Sequence, residues 1–268
     1  MHTVGIVQID SQQIVSDNLS LVIDCIERAA HNNAELVVLP ENMLYIGQDK
    51  TISFTLQSPE IEAVRTCAQQ NSLYILAGSF PEKTTQNKIY NTSIMINPQG
   101  NVIASYRKIH LFDAALGNSQ EFNESSYTLP GENITAIKTP FGVIGMSICY
   151  DVRFPELYRY LAHMGSTIVA VPSNFSLITG KDHWIPLLQA RAIENGVYIL
   201  APNQCGTKYD GNQSYGRSAI VDPWGTVIAC ASDTSPSIIY AQIDPAFTER
   251  VRRTLPSLGH IRLFNPDA

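Results

Sequence analysis

Apolar and polar positions follow two rhythms along this chain, and the chain switches between them from end to end. Residues 4–9 (Val4-Gly5-Ile6-Val7-Gln8-Ile9) form a short apolar run, the pattern of a buried strand. Leu19, Val22, Ile23, Ile26 and Ala29 or Ala30 then recur at helical spacing, which predicts a helix with Asp17 as its N-cap. A buried strand over 36–39 runs out at Pro40-Glu41, and a helix over 61–70 leads to a strand over 73–80. The middle changes character. Residues 90–97 and 102–107 flank the turn Pro98-Gln99-Gly100-Asn101 and predict a hairpin, and 134–138 and 143–148 flank a second turn at Pro140-Phe141-Gly142. A helix over 154–163, a strand over 167–171, a helix over 182–195 and a strand over 197–201 restore the first rhythm. A third hairpin (219–222 and 227–231), a strand over 238–243 and a basic helix over 247–254 follow. Helices interleaved with strands and hairpins predict a layered α/β fold with antiparallel pairing inside its sheets. With no internal repeat, low-complexity tract or Pro/Gly/Ser linker, one domain over 1–268 is the simplest organisation.

Composition narrows the function classes. A chain of 268 residues with 44% hydrophobic and 16% charged residues can bury a full core without disulfides or metal. A net charge of −6, with no Lys/Arg cluster, argues against nucleic acid as a partner. No apolar run reaches the roughly 18 residues that a membrane span needs, and the N-terminus reads as a first strand, not a signal peptide. Five widely spaced cysteines without a CxxC fit neither a disulfide framework nor a zinc site. They predict a reducing, cytoplasmic setting in which a free thiol persists.

Three residues carry candidate chemistry. Cys149 ends the apolar run 142–148 just before a helix, where α/β proteins place reacting groups. Glu41 emerges where the strand 36–39 stops, and Lys108 follows the strand 102–107. Each also has a plain structural reading: a small buried hydrophobe for the cysteine, a loop acid or cap for the glutamate, a snorkelling side chain for the lysine. Only their common position at strand ends suggests a shared pocket holding a nucleophile, a base and an ammonium, a set suited to attack on a carbonyl or nitrile carbon.

The surrounding motifs resemble those of the nitrilase, or carbon–nitrogen hydrolase, superfamily. Leu39-Pro40-Glu41, Arg107-Lys108-Ile109-His110-Leu111 and Cys149-Tyr150-Asp151-Val152-Arg153-Phe154-Pro155-Glu156 resemble its glutamate, lysine and cysteine signatures, in the same chain order. Pro172-Ser173-Asn174-Phe175, Thr179-Gly180-Lys181-Asp182-His183-Trp184 and Val221-Asp222-Pro223-Trp224-Gly225 are similar to the Nit branch, and the likeness runs to about residue 264. It implies a four-layer αββα sandwich and a homodimer or larger assembly. It implies Glu41, Lys108 and Cys149 as the catalytic residues, with no metal and no organic cofactor. Glu124-Ser125 followed by Pro130-Gly131 matches the family's second glutamate and implies a supporting role for Glu124. The backbone N–H of Tyr150 would join Lys108 at the oxyanion. Arg153, Asn174, Thr179 and His183 become candidates for a substrate carboxylate, Cys205 a piece of pocket wall, and His110 a structural residue.

The implied activity is hydrolysis of a small carboxylate-bearing amide to acid and ammonia through a cysteine thioester. Asn203-Gln204-Cys205-Gly206 and Pro155 favour deaminated glutathione as the substrate; ω-amidase activity on α-ketoglutaramate, another superfamily amidase, nitrilase or carbamoylase activity, and a non-catalytic binding protein are the alternatives. Arg217 stands where the branch commonly has His, and Asn174 where it often has Ala.

Overall fold

The computed structural model describes residues 1–116 and 120–263; residues 117–119 and 264–268 of the expected single domain lie outside the described residues. The chain opens as alternating strands and helices: β1 (His2–Gln8), α1 (Val15–His31), β2 (Leu36–Val38), α2 (Pro59–Gln70) and β3 (Tyr74–Leu76), with the three strands parallel. β4 (Phe80–Glu82), β5 (Tyr90–Ile96) and β6 (Val102–Arg107) extend this sheet in antiparallel fashion, β5 meeting β3 and β4 on one edge and β6 on the other. A small hairpin, β7 (Asp113–Leu116) and β8 (Gln120–Asn123), leads to the second sheet.

That sheet begins with β9 (Ala136–Thr139) and β10 (Gly142–Met146). α3 (Pro155–His163), β11 (Ile168–Ala170), α4 (Leu177–Asn195) and β12 (Tyr198–Ala201) follow, and β10, β11 and β12 run parallel. After a second small hairpin, β13 (Cys205–Thr207) and β14 (Gln213–Tyr215), β15 (Ala219–Val221) pairs antiparallel with β12 and β16 (Val227–Cys230) pairs antiparallel with β15 to close the sheet. β17 (Ser237–Ile243) returns to pair antiparallel with β1 along its whole length, and α5 (Pro245–Thr254) follows.

Alternation along the strands assigns the layers. Val4 and Ile6 of β1, Leu36 and Val38 of β2 and Leu76 of β3 share one apolar cluster with Ile144, Met146, Ile168 and Ala170 of the second sheet. Val7, Val37 and Ile75 point the other way, into a cluster with Val22 and Ile26 of α1 and Val64 and Ala68 of α2. Period-two side chains thus give one face to the opposing sheet and one to helices. On the far side of the second sheet, Leu157 and Leu161 of α3 and Trp184 and Leu188 of α4 are buried. Each such large side chain contributes about 1.5–3 kcal/mol by leaving water. The result is the expected four-layer αββα sandwich. Cys25 and Cys67 are packing residues on α1 and α2.

Four local expectations are corrected. α1 starts at Val15 with Ile14 at the cap position, and Asp17 sits in the first turn, where its charge suits the helix dipole. α4 begins at Leu177, five residues earlier than its apolar pattern suggests, capped by Ser176, whose Oγ accepts from Ile178 N at 3.3 Å. Gly180 obscures that start, yet the site requires it: a Cβ there would lie 2.5 Å from Tyr215. The single strand over 73–80 is two, β3 and β4, broken at Gly78. Its φ is +37°, and a Cβ would stand 2.0 Å from the carbonyl oxygen of Pro40. The hairpins β7–β8 and β13–β14 were not anticipated.

Candidate functional site

Glu41 and Cys149 are carried past the carboxyl ends of two parallel strands, β2 and β10, one from each sheet; Lys108 follows β6 at once. The Gly78 break allows the chain to pass close over Pro40. There Ser79 N donates to Pro40 O (3.3 Å), Asn42 N donates to Ser79 Oγ (3.0 Å) and Met43 N donates to Ser79 O (2.9 Å). Gln204 Nε2 donates to Glu41 O at 2.9 Å. The backbone of Glu41 is therefore fixed from two sides. Cys149 stands on a 3-10 turn, Cys149–Arg153, with φ +48°, a left-handed conformation that costs a non-glycine residue about 1–2 kcal/mol. Its N–H donates to Pro172 O at 2.8 Å, which holds the turn against the next strand's loop.

The three side chains meet in one cleft of about 330 Å³, at the lower end of the range for small-molecule sites. Lys108 Nζ donates to Glu41 Oε1 at 3.1 Å and to Glu124 Oε2 at 2.8 Å, and all three side chains are almost completely buried. The N–H of Asn174 donates to Glu41 Oε2 at 2.7 Å, and the N–H of Phe112 to Glu124 Oε2 at 2.6 Å. Burial opposes the charge of Lys108, but Glu124 and Glu41 outweigh it and raise its pKa well above the ordinary lysine range. Burial, reinforced by the charge of Glu41 and a hydrogen bond to it, pushes the Cys149 thiol well above its ordinary range despite Lys108. The resting group is a thiol beside a carboxylate, so a nucleophilic sulfur forms by proton transfer to that carboxylate.

Glu124 and Asn174 also line this cleft. Tyr150, Arg153 and Thr179 line a small recess beside Cys149, together with Phe175. The Arg153 guanidinium lies over the rings of Phe175 and Tyr150, at 5.1 and 5.9 Å, and donates to His183 Nδ1 at 3.3 Å. His183 itself is exposed and lines neither space; it meets the site only through Arg153. Cys205 is fully buried and lies off the cleft wall, which corrects the expectation that it is pocket surface.

Two residues were missed as contributors. Asn91, on β5, donates from Nδ2 to Glu41 Oε1 (2.9 Å) and to Glu124 Oε1 (3.5 Å), so one amide spans both carboxylates. An asparagine inside an apolar strand is unfavourable there and was the available signal. Asp151, fully buried, accepts from Tyr106 Oη (2.7 Å), Ile148 N (2.8 Å), His110 N (3.1 Å) and His110 Nδ1 (2.7 Å). Tyr106 and His110 bracket Lys108, so this carboxylate ties the lysine segment to the cysteine turn. His110 completes the clamp by stacking on Phe154, centroids 3.7 Å apart. Its role is structural, as the sequence suggested.

An αββα sandwich with such a cleft at its strand ends defines a class, the nitrilase-type hydrolases. A family model described as Carbon-nitrogen hydrolase matches residues 3–253, and the chain belongs to that family. It is 40% identical over 260 residues to the deaminated glutathione amidase of Synechocystis sp., covering 94% of this chain and 95% of the relative. It is 37% identical over 268 residues to that of Mus musculus, covering 97% and 83%. Among solved structures, the C. elegans NitFhit protein superposes with a TM-score of 0.93 at 34% identity over 99% of this chain, which spans only 66% of the worm protein. Saccharomyces cerevisiae Nit3, a member of branch 10 of the nitrilase superfamily, superposes with a TM-score of 0.84 at 32% identity over 95% and 94%. The chain is thus a carbon–nitrogen hydrolase, an amidase of the Nit branch.

Proposed function

We propose that Cys149 is the nucleophile, Glu41 the general base and acid, and Lys108 the oxyanion donor of an amidase acting on deaminated glutathione. The observation that carries this reading is the convergence of a strained cysteine turn, a buried ammonium and a carboxylate on one cleft. Glu41 takes the thiol proton as Sγ attacks the amide carbon. The oxyanion forms between Lys108 Nζ and the N–H of Tyr150, where one donor is worth about 3–4 kcal/mol. The carbon–nitrogen bond breaks as Glu41 returns the proton to the leaving amine, and the acyl group remains on Cys149 as a thioester. Water then gives a proton to Glu41, attacks the thioester and releases the acid, while the sulfur regains its proton. Glu124 and Asn91 keep Lys108 and Glu41 in register throughout.

The substrate follows from the relatives, which carry the name deaminated glutathione amidase across bacteria, mammals and Dictyostelium. In that substrate the scissile nitrogen belongs to the cysteine of the Cys-Gly tail. The leaving group is then the dipeptide amine, and ammonia would be released only from α-ketoglutaramate. Arg153 and Thr179, in the recess beside Cys149, suit the carboxylate of the 2-oxo acid. The decisive comparison is kcat/KM for deaminated glutathione against α-ketoglutaramate. A clear preference for the first supports this reading; a clear preference for the second makes the chain an ω-amidase; turnover of neither leaves only the family chemistry.

The same reading takes residues 1–268 as one catalytic unit working in the cytoplasm on a small molecule. No described helix is long and apolar enough to cross a membrane, and the five cysteines are free. Assembly as a homodimer is supported by Ile193 on α4 and Trp224 in the turn that Gln189 ties to that helix through Gly225 O, both side chains being more than half exposed.

A further inference from the structure

We propose that Lys50 receives the terminal carboxylate of the leaving-group tail, so that the cleft selects amides carrying an acid at the end remote from the scissile bond. This assignment rests on the deaminated glutathione reading above.

Three lysines line the cleft. Lys108 is committed to Glu41 and Glu124. Lys208 is committed to Asp10 Oδ1 at 2.7 Å and to the carbonyl of Cys205 at 2.8 Å. Lys50 differs from both. Its Nζ donates to Gly47 O (2.8 Å) and Tyr209 Oη (3.3 Å), and it forms no ion pair among the described residues. The ammonium stands over the rings of Tyr127 and Tyr209, at 5.2 and 5.4 Å. Those rings restrict its movement without neutralising it. Acids at the same mouth are turned onto their own loops: Asp49 accepts from Thr51 N and Oγ1 at 2.8 and 2.6 Å, and Asp210 from Asn212 N and Nδ2 at 3.0 and 2.8 Å. Glu121 of β8 is the remaining mouth acid.

Tyr127 links this cation to the reacting centre. The ring below Lys50 carries a phenol close enough to feel the charges of Glu124, Lys108 and Glu41. Tyr127 thus belongs both to the ring pair under the Lys50 ammonium and to the cleft that holds Lys108, Glu124 and Cys149. Arg153 lies in the recess on Cys149's own turn, which adjoins the cleft through Phe112, Cys149, Asn174 and Ser176. A substrate with a carboxylate at each end needs two separated cations, and these two remain uncommitted to any acid. Arg153 takes the acyl end, which leaves the glycine carboxylate of the tail for Lys50.

The test compares deaminated glutathione with its analogue whose glycine carboxylate is a carboxamide, using the purified full chain. Wild type should prefer the acid about tenfold in kcat/KM, expressed in KM, the size expected of one charge-assisted contact at an open site. Lys50→Met should erase that preference and Lys50→Arg should keep it. Retention of the preference by Lys50→Met, or its absence in wild type, overturns the assignment. Wild type turning over neither compound overturns the substrate reading and this assignment with it. A second measurement needs no variant: the dipeptide Cys-Gly should inhibit wild type about tenfold better than its carboxamide, and equal inhibition would also overturn the role of Lys50.

Discussion

The protein contains two clusters that each join a buried lysine to acidic side chains and a buried cysteine, and only one of them has the geometry of a reacting site. Lys108 has Glu41, Glu124 and Cys149; Lys208 has Asp10 and Cys205. The difference lies in saturation and backbone. Lys208 Nζ reaches Asp10 Oδ1, Cys205 O, Ser11 O and Gln204 Oε1, so its protons are spent on fixed acceptors. Burial prevails over Asp10 and lowers its pKa, whereas the two carboxylates around Lys108 prevail over burial and raise its pKa. Cys205 lies in a regular strand and is sealed from the cleft; Cys149 is forced to φ +48° at its edge. The Lys208 cluster locks the β13 loop to Asp10 beyond the end of β1. The Lys108 cluster holds its groups with coordination to spare and a surface for substrate. Residue types do not make a site; unspent hydrogen-bonding capacity beside a cavity does.

The comparison breaks most decisively at the sulfurs. Cys149→Ala and Cys149→Ser should each lower kcat/KM by at least about a thousandfold with an unchanged melting curve, and Glu41→Gln should lose about 10²–10⁴-fold. Cys205→Ala should retain most activity. Steady-state kinetics on all four decides the matter: more than a few per cent of wild-type rate in Cys149→Ala would exchange the roles of the two clusters. Lys108→Met should cost about 10²–10³-fold in kcat with a smaller change in KM, because the oxyanion exists only along the reaction path. An effect confined to KM would make Lys108 a binding group.

Alkylation sharpens the contrast. Iodoacetamide should modify Cys149 in preference to buried Cys205, read by peptide mass mapping, and the rate should climb steadily with pH through 8–9, since burial and Glu41 hold the thiol protonated. A plateau at neutral pH would mean a preformed thiolate. No preferential modification of Cys149 would favour a non-catalytic binding protein.

The smallest effect concerns alkaline stability. Burial raises the thiols of Cys25, Cys67 and Cys205 from 9.0 to about 11. The unfolded chain then releases these protons first, so their contribution is complete below pH 9 and is lost as pH rises toward 11. Lys108 acts in the same sense and Lys208 in the opposite one. The melting temperature should fall across that window, and more shallowly in Cys205→Ala.

The sequence disclosed more of this site than of its supports. Strand ends announced Glu41, Lys108 and Cys149 because an apolar run that stops at a charged or reactive residue is a local pattern. The partners that hold them are not local: Asn91, Asp151 and Gln204 act over separations of 50, 41 and 163 residues. Periodicity has no access to such pairs. The hairpin β7–β8, which delivers Glu124, is short and alternates only weakly, so its residues read as a loop. His183 drew attention by following the Thr179 motif, but helix geometry turns it to the surface. Layered α/β packing was legible because short apolar runs and helical patterns alternate; the specific four-layer arrangement came from the resemblance of the motifs to the nitrilase superfamily.

The left-handed turn at Cys149 sets heat resistance against activity. Of two inactive variants, Cys149→Gly should outlast Cys149→Ala in a melting experiment by about 1 kcal/mol, since glycine occupies that backbone region without penalty. A lineage selected for durability alone would abandon the cysteine for glycine. Its persistence here means that the fold carries permanent strain to keep one sulfur pointed at the cleft.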